Sequence, residues 1–447
     1  MNFIINKLTS PYIYFSIFFF ILMRIDVALK PSLITAYISL FGMMYYSYII
    51  YKRDPKFFLL NILFFTAYIP AAISNVLNES FPNYLTELNQ VSFLNGSLVI
   101  NVFYFSILIL GIKTAFISKT KRIILDRKFF SLSLLNKAKG LFLLLITILI
   151  LSLIIYNSPL VLGINRLDYR INISKFPIQL ILNLSNSLLY FIVIYYFFSK
   201  KKYNFYILFI VFCVVQILHG DRFSGLFFGF SIILITMAAF KNRFPPFSKV
   251  KYYIIIIVLL ITLILFINVS FTSDLNPWGR IIIRYSLQSE VWWSTQNYVS
   301  NHPVDYSSFL SHGMGIGTDK NVSGINYMMK ILAPDQVYNL YIERGSKFTM
   351  GAPSLLLVTL GPVFGGFAVF LSGCLCGRVL KSFVLSSNST SYISGFFYLK
   401  AYLMTTYACI MGDYPKLIST LFFFYLLMAI ITSGWKFSNS QLRRITF

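Results

Sequence analysis

Acidic side chains are scarce in this chain, which has 14 Asp and Glu against 38 Lys and Arg and a formal net charge of +24. Charged residues of both signs make up only 12% of it, whereas they make up about 25% of a typical soluble domain. The hydrophobic fraction, in contrast, is 57%. Because a soluble globule cannot bury that much apolar surface, the composition predicts an all-α polytopic integral membrane protein.

Cysteine is also rare: the 4 Cys residues lie within apolar runs, without the spacing of a zinc site or a disulfide framework. The chain has no Walker loop, no HExxH, no GxSxG and no DxD pair, the motifs of nucleotide, zinc and nucleotide-sugar chemistry. We therefore expect neither a metal nor a cofactor. The basic residues lie in short loops between apolar runs, which indicates contact with anionic membrane lipids rather than nucleic acid.

Apolar runs of about 20 residues, the length that crosses the hydrocarbon core as a helix, recur along the chain. They lie at residues 11–29, 32–51, 57–76, 92–117, 140–158, 177–199, 204–220, 223–240, 252–271, 353–376, 392–412 and 416–434. We therefore predict about twelve transmembrane helices.

Lys and Arg collect in every second connection between these runs, which assigns those connections and both termini to the cytoplasm. All but two of the 14 acids lie on the other side, in the other connections or, for Asp26, near the outer end of the first run. Three regions follow from this register. Residues 1–270 contain transmembrane helices with short loops, residues 271–352 form one large, partly helical periplasmic loop, and residues 353–447 contain the last helices and a basic cytoplasmic tail.

Arginines stand at the periplasmic ends of several predicted helices. Arg222 lies beside Asp221 in a turn flanked by glycines, and Arg166 and Arg170 lie in an earlier outer loop. A guanidinium at such a helix end can hold a phosphate through its planar fork of donors. The alternative is that Arg222 pairs with Asp221 or reaches to the membrane interface.

The large loop opens with a second arginine pair. Arg280 and Arg284 are four residues apart and share one helix face, from which two guanidinium groups can clamp a pyrophosphate. The alternative is an ordinary amphipathic helix that rests on the membrane. In either case we expect Ile281, Ile282, Leu287, Trp292 and Trp293 to provide the apolar surface with which this helix rests on the membrane.

A candidate general base lies farther along this loop. His312 belongs to the glycine-rich run 311–317, and a His side chain can take a proton from a sugar hydroxyl near neutral pH. Glu290 and Asp221 are rival bases. An exposed His312 without a catalytic role is the alternative.

Two further patterns lie among the last helices. Gly361, Gly365, Gly373 and Gly377 stand at multiples of four residues, which predicts close packing against another helix. The short outer turn 413–416 is expected to line the rim of a cavity.

The ensemble of about twelve spans, both ends inside, one large outer loop late in the chain and arginines at outer helix ends resembles the O-antigen polymerases of the Wzy family. The local sequences that carry the resemblance are Gly220-Asp221-Arg222, the pair Arg280 and Arg284, and the glycine-rich run 361–366.

The resemblance implies a metal-independent glycosyltransferase of the GT-C type, distantly similar to the O-antigen ligases, in a bacterial inner membrane. Its substrate would be oligosaccharide repeat units on undecaprenyl pyrophosphate, and a chain-length regulator protein would be a partner. Glu290 or His312 would be the base. The resemblance also implies a pyrophosphate site made of Arg222, Arg280, Arg284, Arg166 and Arg170.

Two other functions remain open on the sequence. An O-antigen ligase, which transfers finished glycan to lipid A core, shares this layout and a His in its large outer loop. A flippase for the lipid-linked oligosaccharide is the transporter alternative. The loop 271–352 argues against a flippase, which is expected to have related halves and mostly short loops.

Overall fold

The computed structural model describes residues 2–118, 128–130, 133–164, 169, 176–199, 202–220, 224–240 and 287–437. Within these ranges the chain is mainly helical, in the order α1 (Asn2–Leu29), α2 (Leu33–Arg53), α3 (Pro55–Leu60), α4 (Ile62–Ser80), α5 (Ser97–Ile117), α6 (Ser133–Tyr156), α7 (Pro159–Leu162), α8 (Phe176–Ser199), α9 (Lys202–Leu218), α10 (Ser224–Phe240), α11 (Glu290–Asn301), α12 (Ile325–Leu332), α13 (Asp335–Glu343), α14 (Ala352–Asn388), α15 (Tyr392–Met411) and α16 (Thr420–Ile431).

The described strands are short and form two pairs. Strand β1 (Tyr84–Leu85) runs antiparallel to β2 (Gln90–Val91), so that residues 84–91 form a hairpin. Strand β3 (Lys128–Phe130) runs parallel to β4 (Trp435–Phe437). The helices therefore determine the architecture.

Among the described residues, six helical stretches are long and apolar enough to cross a membrane: Ser10–Leu29, Leu33–Arg53, Ser97–Ile117, Leu134–Tyr156, Pro177–Phe197 and Ala352–Asn388. Three more apolar helices are shorter, Tyr203–Leu218, Phe227–Phe240 and Thr420–Gly434. The predicted helical, membrane-type chain is confirmed at this coarse level. The larger number of about twelve spans stays a prediction, and the apolar run 252–271 lies outside the described residues.

The predicted span 57–76 is not one helix, because the chain breaks at Asn61 between α3 and α4. Asn61 is fully buried and its Nδ2 donates to the Phe57 carbonyl at 2.8 Å. Tyr402 of α15 donates its hydroxyl to the Leu60 carbonyl at 2.8 Å. The break survives in the interior because the Tyr402 hydroxyl supplies the Leu60 carbonyl with a donor.

Helices α5 and α14 pack closely and run parallel, with Tyr104 bonded to the Pro362 carbonyl at 3.0 Å near one end of the contact. A Cβ added at Gly373 or Gly377 would collide with carbonyl oxygens of α5, and one added at Gly111 would collide with the α14 backbone. The packing role predicted for these two α14 glycines is confirmed, since only glycine allows such an approach.

The other two glycines of the pattern have a different role. Gly361 has φ 69° and ψ 180°, a conformation that only glycine adopts readily, and α14 bends there just before Pro362. A Cβ at Gly365 would lie 2.8 Å from the Leu356 carbonyl oxygen, across the bend. The prediction of helix packing is therefore wrong for Gly361 and Gly365, which form a kink between segments 352–360 and 362–388.

One end of the bundle, which we call the cap end, gathers the C-termini of α4 and α15 with the N-termini of α5 and α14. Asn75 of α4 donates to Ser97 of α5 at 2.8 Å, and Gly412 lies against Gly351 just before α14. Residues 287–351 cover this end and carry α11, α12 and α13. The opposite end is marked by the ion pair between Lys113 and Asp54.

Candidate functional site

The first described helix of the large loop, α11, is anchored in protein by two tryptophans. Trp292 and Trp293 are 0% exposed. Trp292 Nε1 donates to the Met350 carbonyl at 3.0 Å and Trp293 Nε1 to the Phe93 carbonyl at 2.8 Å. The expectation that these two side chains rest on the membrane is wrong, because each indole N–H finds a carbonyl partner inside the fold.

A buried serine fixes the start of α11. Ser289 shares a hydroxyl hydrogen bond of 2.9 Å with Ser74 and accepts one of 3.2 Å from Asn78 Nδ2. Ser74 and Asn78 are one turn apart on α4 and face the same way. This network holds Glu290, the first residue of α11, in the interior of the cap end.

Glu290 is 1% exposed, and neither of its carboxyl oxygens has a hydrogen-bond partner among the described residues. Burial and, to a smaller degree, the nearby Glu87 carboxylate raise the pKa of Glu290 to about 9. The backbone N–H groups of Leu88 and Glu87 lower this pKa, although neither N–H meets hydrogen-bond geometry with the Glu290 carboxyl group. Glu290 therefore carries its proton at neutral pH, which favours a proton donor over the predicted base.

His312 is half-buried in a single wide helical turn, Phe309–Gly313. Its Nδ1 lies 2.9 Å from the Val322 carbonyl oxygen. Because a carbonyl can only accept, Nδ1 carries the hydrogen and Nε2 keeps a free lone pair. The ring stacks on Tyr327 at 4.5 Å between centroids with the planes 4° apart. The imidazole thus has one tautomer and one orientation, as a general base requires.

An exposed carboxylate stands near this imidazole. Hydrogen bonds from Ser307 hold the pKa of Asp305 below its usual value, and His312 lowers it to a smaller degree. Asp305 is therefore a charged neighbour of the imidazole at the surface of the cap end.

Two lysines converge on one carboxylate at the turn between α15 and α16. Lys347 Nζ and Lys416 Nζ each lie 3.0 Å from Asp413 Oδ2. The Asp413 side chain is 7% exposed, but those of Lys347 and Lys416 are 30% and 41% exposed. One negative charge faces two positive ones, and both ammonium groups keep donors toward the surface. The predicted rim turn 413–416 therefore contributes a cationic patch.

Gly324 joins the histidine to the lysine pair. Its N–H donates to the His312 carbonyl at 2.7 Å. Its own φ is +59°, and an added Cβ would lie 3.0 Å from Pro415 and 3.3 Å from Asp413 Oδ1. A side chain at this position would be strained and would push the rim turn away from the His312 segment.

The arginines and one acid proposed from the sequence, namely Arg166, Arg170, Arg222, Arg280, Arg284 and Asp221, lie outside the described residues. Their pyrophosphate and base roles stay predictions. Glu290 and His312 both lie at the cap end, in different surroundings. In the described ranges, no three His, Cys, Asp or Glu side chains are grouped so as to hold a metal ion.

Sequence reasoning missed Lys347 altogether and recognised Lys416 only as part of the rim turn. The opposite charges of Asp413 and Lys416, three residues apart, were a weak sequence signal for an ion pair. Lys347 lies 66 residues before Asp413, and no local pattern indicates such a pair.

Comparison with known proteins identifies a likeness over the C-terminal part. Residues 318–441 match a family of unknown function (DUF6418). This segment includes Gly324, Lys347, Asp413 and Lys416, and it leaves out Glu290 and His312. No curated protein and no solved structure matches the chain.

Proposed function

We propose that this chain is an O-antigen polymerase, which joins oligosaccharide repeat units carried on undecaprenyl pyrophosphate at the periplasmic face of a bacterial inner membrane. The observation that carries the proposal is the cap end itself. There, a half-exposed lysine pair and a histidine with a fixed tautomer are linked through Gly324 at the end of a bundle of apolar helices.

The lysine pair suits the leaving group of this reaction. When the anomeric carbon–oxygen bond breaks, the lipid pyrophosphate departs with the electron pair, and negative charge grows on its oxygens. Ammonium groups already held in place stabilise that charge without reorganisation. Lys347 and Lys416 are held by Asp413, and Arg222, Arg280 and Arg284 would add to the same field.

His312 is suited to activate the acceptor, which is a sugar hydroxyl. Its Nε2 would take the proton of a sugar hydroxyl on the incoming unit while that oxygen bonds to the anomeric carbon. The proton stays on the imidazolium until water removes it. Glu290 keeps its own proton and serves as a buried hydrogen-bond donor.

The decisive experiment uses purified protein and synthetic repeat units on undecaprenyl pyrophosphate. The wild type is expected to lengthen the glycan, and the Lys347→Ala/Lys416→Ala double variant is expected to lose about 10²–10³-fold in rate because its leaving group is no longer stabilised. Lys320→Ala, a change of an exposed lysine in the same loop, is the matched control and is expected to keep full activity.

Two results would defeat the proposal. Full activity in the double variant would remove the lysine pair from the site. Movement of labelled lipid-linked sugar across a membrane, without lengthening, would identify a flippase instead.

The fixed tautomer of His312 also suits an O-antigen ligase, which needs the same proton acceptor. The polysaccharide ladder of cells lacking the protein separates the two enzymes. Loss of a polymerase leaves single repeat units on the lipid A core, whereas loss of a ligase leaves none.

A further inference from the structure

Asn75 and Glu79 lie one turn apart on α4, and both are tied to one serine at the start of α5. Asn75 Nδ2 donates to Ser97 Oγ at 2.8 Å, and Ser97 Oγ donates to Glu79 Oε1 at 2.9 Å. The N–H of Leu98 adds a bond of 3.4 Å to the same Oε1. These bonds fix both side chains on one face of α4.

Each of the two side chains has a second oxygen that the serine does not reach. Asn75 Oδ1 and Glu79 Oε2 are both buried without a hydrogen-bond partner among the described residues. Asn75 is 0% exposed and Glu79 is 5% exposed. Both oxygens belong to side chains that bind the same Ser97 hydroxyl, and burying such acceptors unsatisfied is costly. They therefore require a donor or a cation.

The charges around Glu79 make this requirement stronger. Asp26 of α1 is also buried, accepts from Thr35 Oγ1 at 2.5 Å, and lies against Gly96 at the start of α5. Burial and, to a smaller degree, Asp26 raise the pKa of Glu79, hydrogen bonds from Ser97 and Leu98 lower it, and the pKa that results is about 7. Among the residues described, no Lys or Arg is near enough to shift this pKa. Within the described part of the chain, two buried carboxyl groups thus interact without a protein cation.

We propose that Glu79 Oε2 and Asn75 Oδ1 bind an alkali cation, for which a proton competes. A carboxylate and an amide oxygen are hard ligands of the kind that alkali and alkaline-earth cations prefer. One coordinating carboxylate balances a single positive charge, and Asp26 contributes its field. The bound ion ties α4 to α5 and α1 at the cap end. Neither ligand is one of the residues of the proposed glycosyl-transfer site, which are His312, Lys347 and Lys416.

Binding of radioactive sodium to the purified full-length protein tests the proposal directly. Choline chloride replaces unlabelled salt to keep the ionic strength constant, since choline is too large for two buried ligands. The apparent sodium affinity is expected to be roughly 30-fold weaker at about pH 5.5 than at about pH 8.5, because these values lie on either side of the Glu79 pKa of about 7. The thermal unfolding midpoint is expected to rise in NaCl relative to choline chloride at the higher pH only.

Three variants give the test its specificity. Glu79→Gln keeps the acceptor for Ser97 but loses the charge, and Asn75→Ala removes the second ligand, so both are expected to lose sodium binding. Glu87→Gln changes a half-exposed acid of the hairpin 84–91 and is expected to bind sodium normally.

Wild-type protein that binds no sodium at the higher pH would overturn the proposal, as would a Glu79→Gln variant that binds sodium like the wild type. A midpoint that responds to pH but not to sodium would show that a proton alone occupies the site. Should Glu79→Gln fail to fold, the Asn75→Ala variant decides.

Discussion

The two ends of the helix bundle treat buried charge in opposite ways. At the end opposite the cap, the 4% exposed Lys113 side chain lies 2.6 Å from Asp54, and its ammonium lies 4.7 Å from the centre of the Phe57 ring. At the cap end, Glu79 and Glu290 are buried with oxygens that lack a hydrogen-bond partner among the described residues. The pair of buried Lys113 and half-buried Asp54 is complete as it stands, whereas isolated buried acids and a surplus of half-exposed lysines need something from outside the fold.

The two aspartates that form ion pairs with lysine side chains show the same contrast. Asp54 forms an ion pair with Lys113. It also accepts a hydrogen bond from the Phe57 N–H at 3.0 Å, at the start of α3. Asp413 forms ion pairs with two lysines, and both lysine side chains are partly exposed at the surface. We infer that Asp54 stabilises the fold and that Asp413 positions cations for a ligand.

The largest expected effect separates the two histidines of the large loop. Both rings stack on a tyrosine and both place Nδ1 near a carbonyl, at 2.9 Å for His312 and 3.0 Å for His302. His302 is exposed and bonds only within its own helix. We expect His312→Ala to reduce the polymerisation rate about 10²–10⁴-fold and His302→Ala to leave it unchanged, measured on synthetic lipid-linked repeats. Equal rates in both variants would exclude His312 as the base.

The next effect compares the two aspartates in thermal unfolding. Asp54→Asn keeps a side chain that can cap α3 but leaves the Lys113 ammonium unpaired, and we expect a loss of up to about 3 kcal/mol in the free energy of unfolding. Asp413→Asn frees two lysines that water can reach, and we expect a loss below about 1 kcal/mol. The reverse order would show that the open lysine pair is the structural one.

Asp413→Asn should also change ligand binding, because it leaves two ammonium groups without their shared carboxylate. We expect inorganic pyrophosphate to bind this variant several-fold more tightly than the wild type, by about 1 kcal/mol, as measured by titration calorimetry. The Lys347→Ala/Lys416→Ala variant is expected to lose that binding. Unchanged affinity in Asp413→Asn would separate the lysine pair from the anion.

The last comparison concerns the pH dependence of stability. The folded pKa of Glu290, about 9, lies above the ordinary value of 4.5, so the folded state holds a proton that the unfolded state releases between those values. Stability from this group is therefore full below about pH 4.5 and falls as the pH rises toward about 9. Glu290→Gln mimics the protonated acid and is expected to flatten that decline in pH-dependent unfolding. A slope equal to the wild type would mean that Glu290 does not retain its proton.

Much of the architecture could be predicted from local sequence, and some of it could not. Apolar runs of about 20 residues indicate membrane-type helices, because the thickness of the hydrocarbon core sets the length of a spanning helix. The break at Asn61 could not be predicted in this way, since it depends on Tyr402, 341 residues away. The glycine spacing predicted contact at Gly373 and Gly377, but spacing alone does not distinguish a packing glycine from the kink at Gly361.

The features of the candidate site likewise fall into those that the sequence predicts and those that depend on the fold. The sequence by itself determined a membrane-type helical chain, the presence of His312 and Glu290 in one polar loop, and a charged turn at residues 413–416. Only the tertiary structure decided that Glu290 keeps its proton, that His312 has Nε2 free, and that Lys347 joins Lys416. Composition and spacing are properties of neighbours along the chain, whereas a pKa, a tautomer or a charge pair depends on burial and on partners that folding brings from far away.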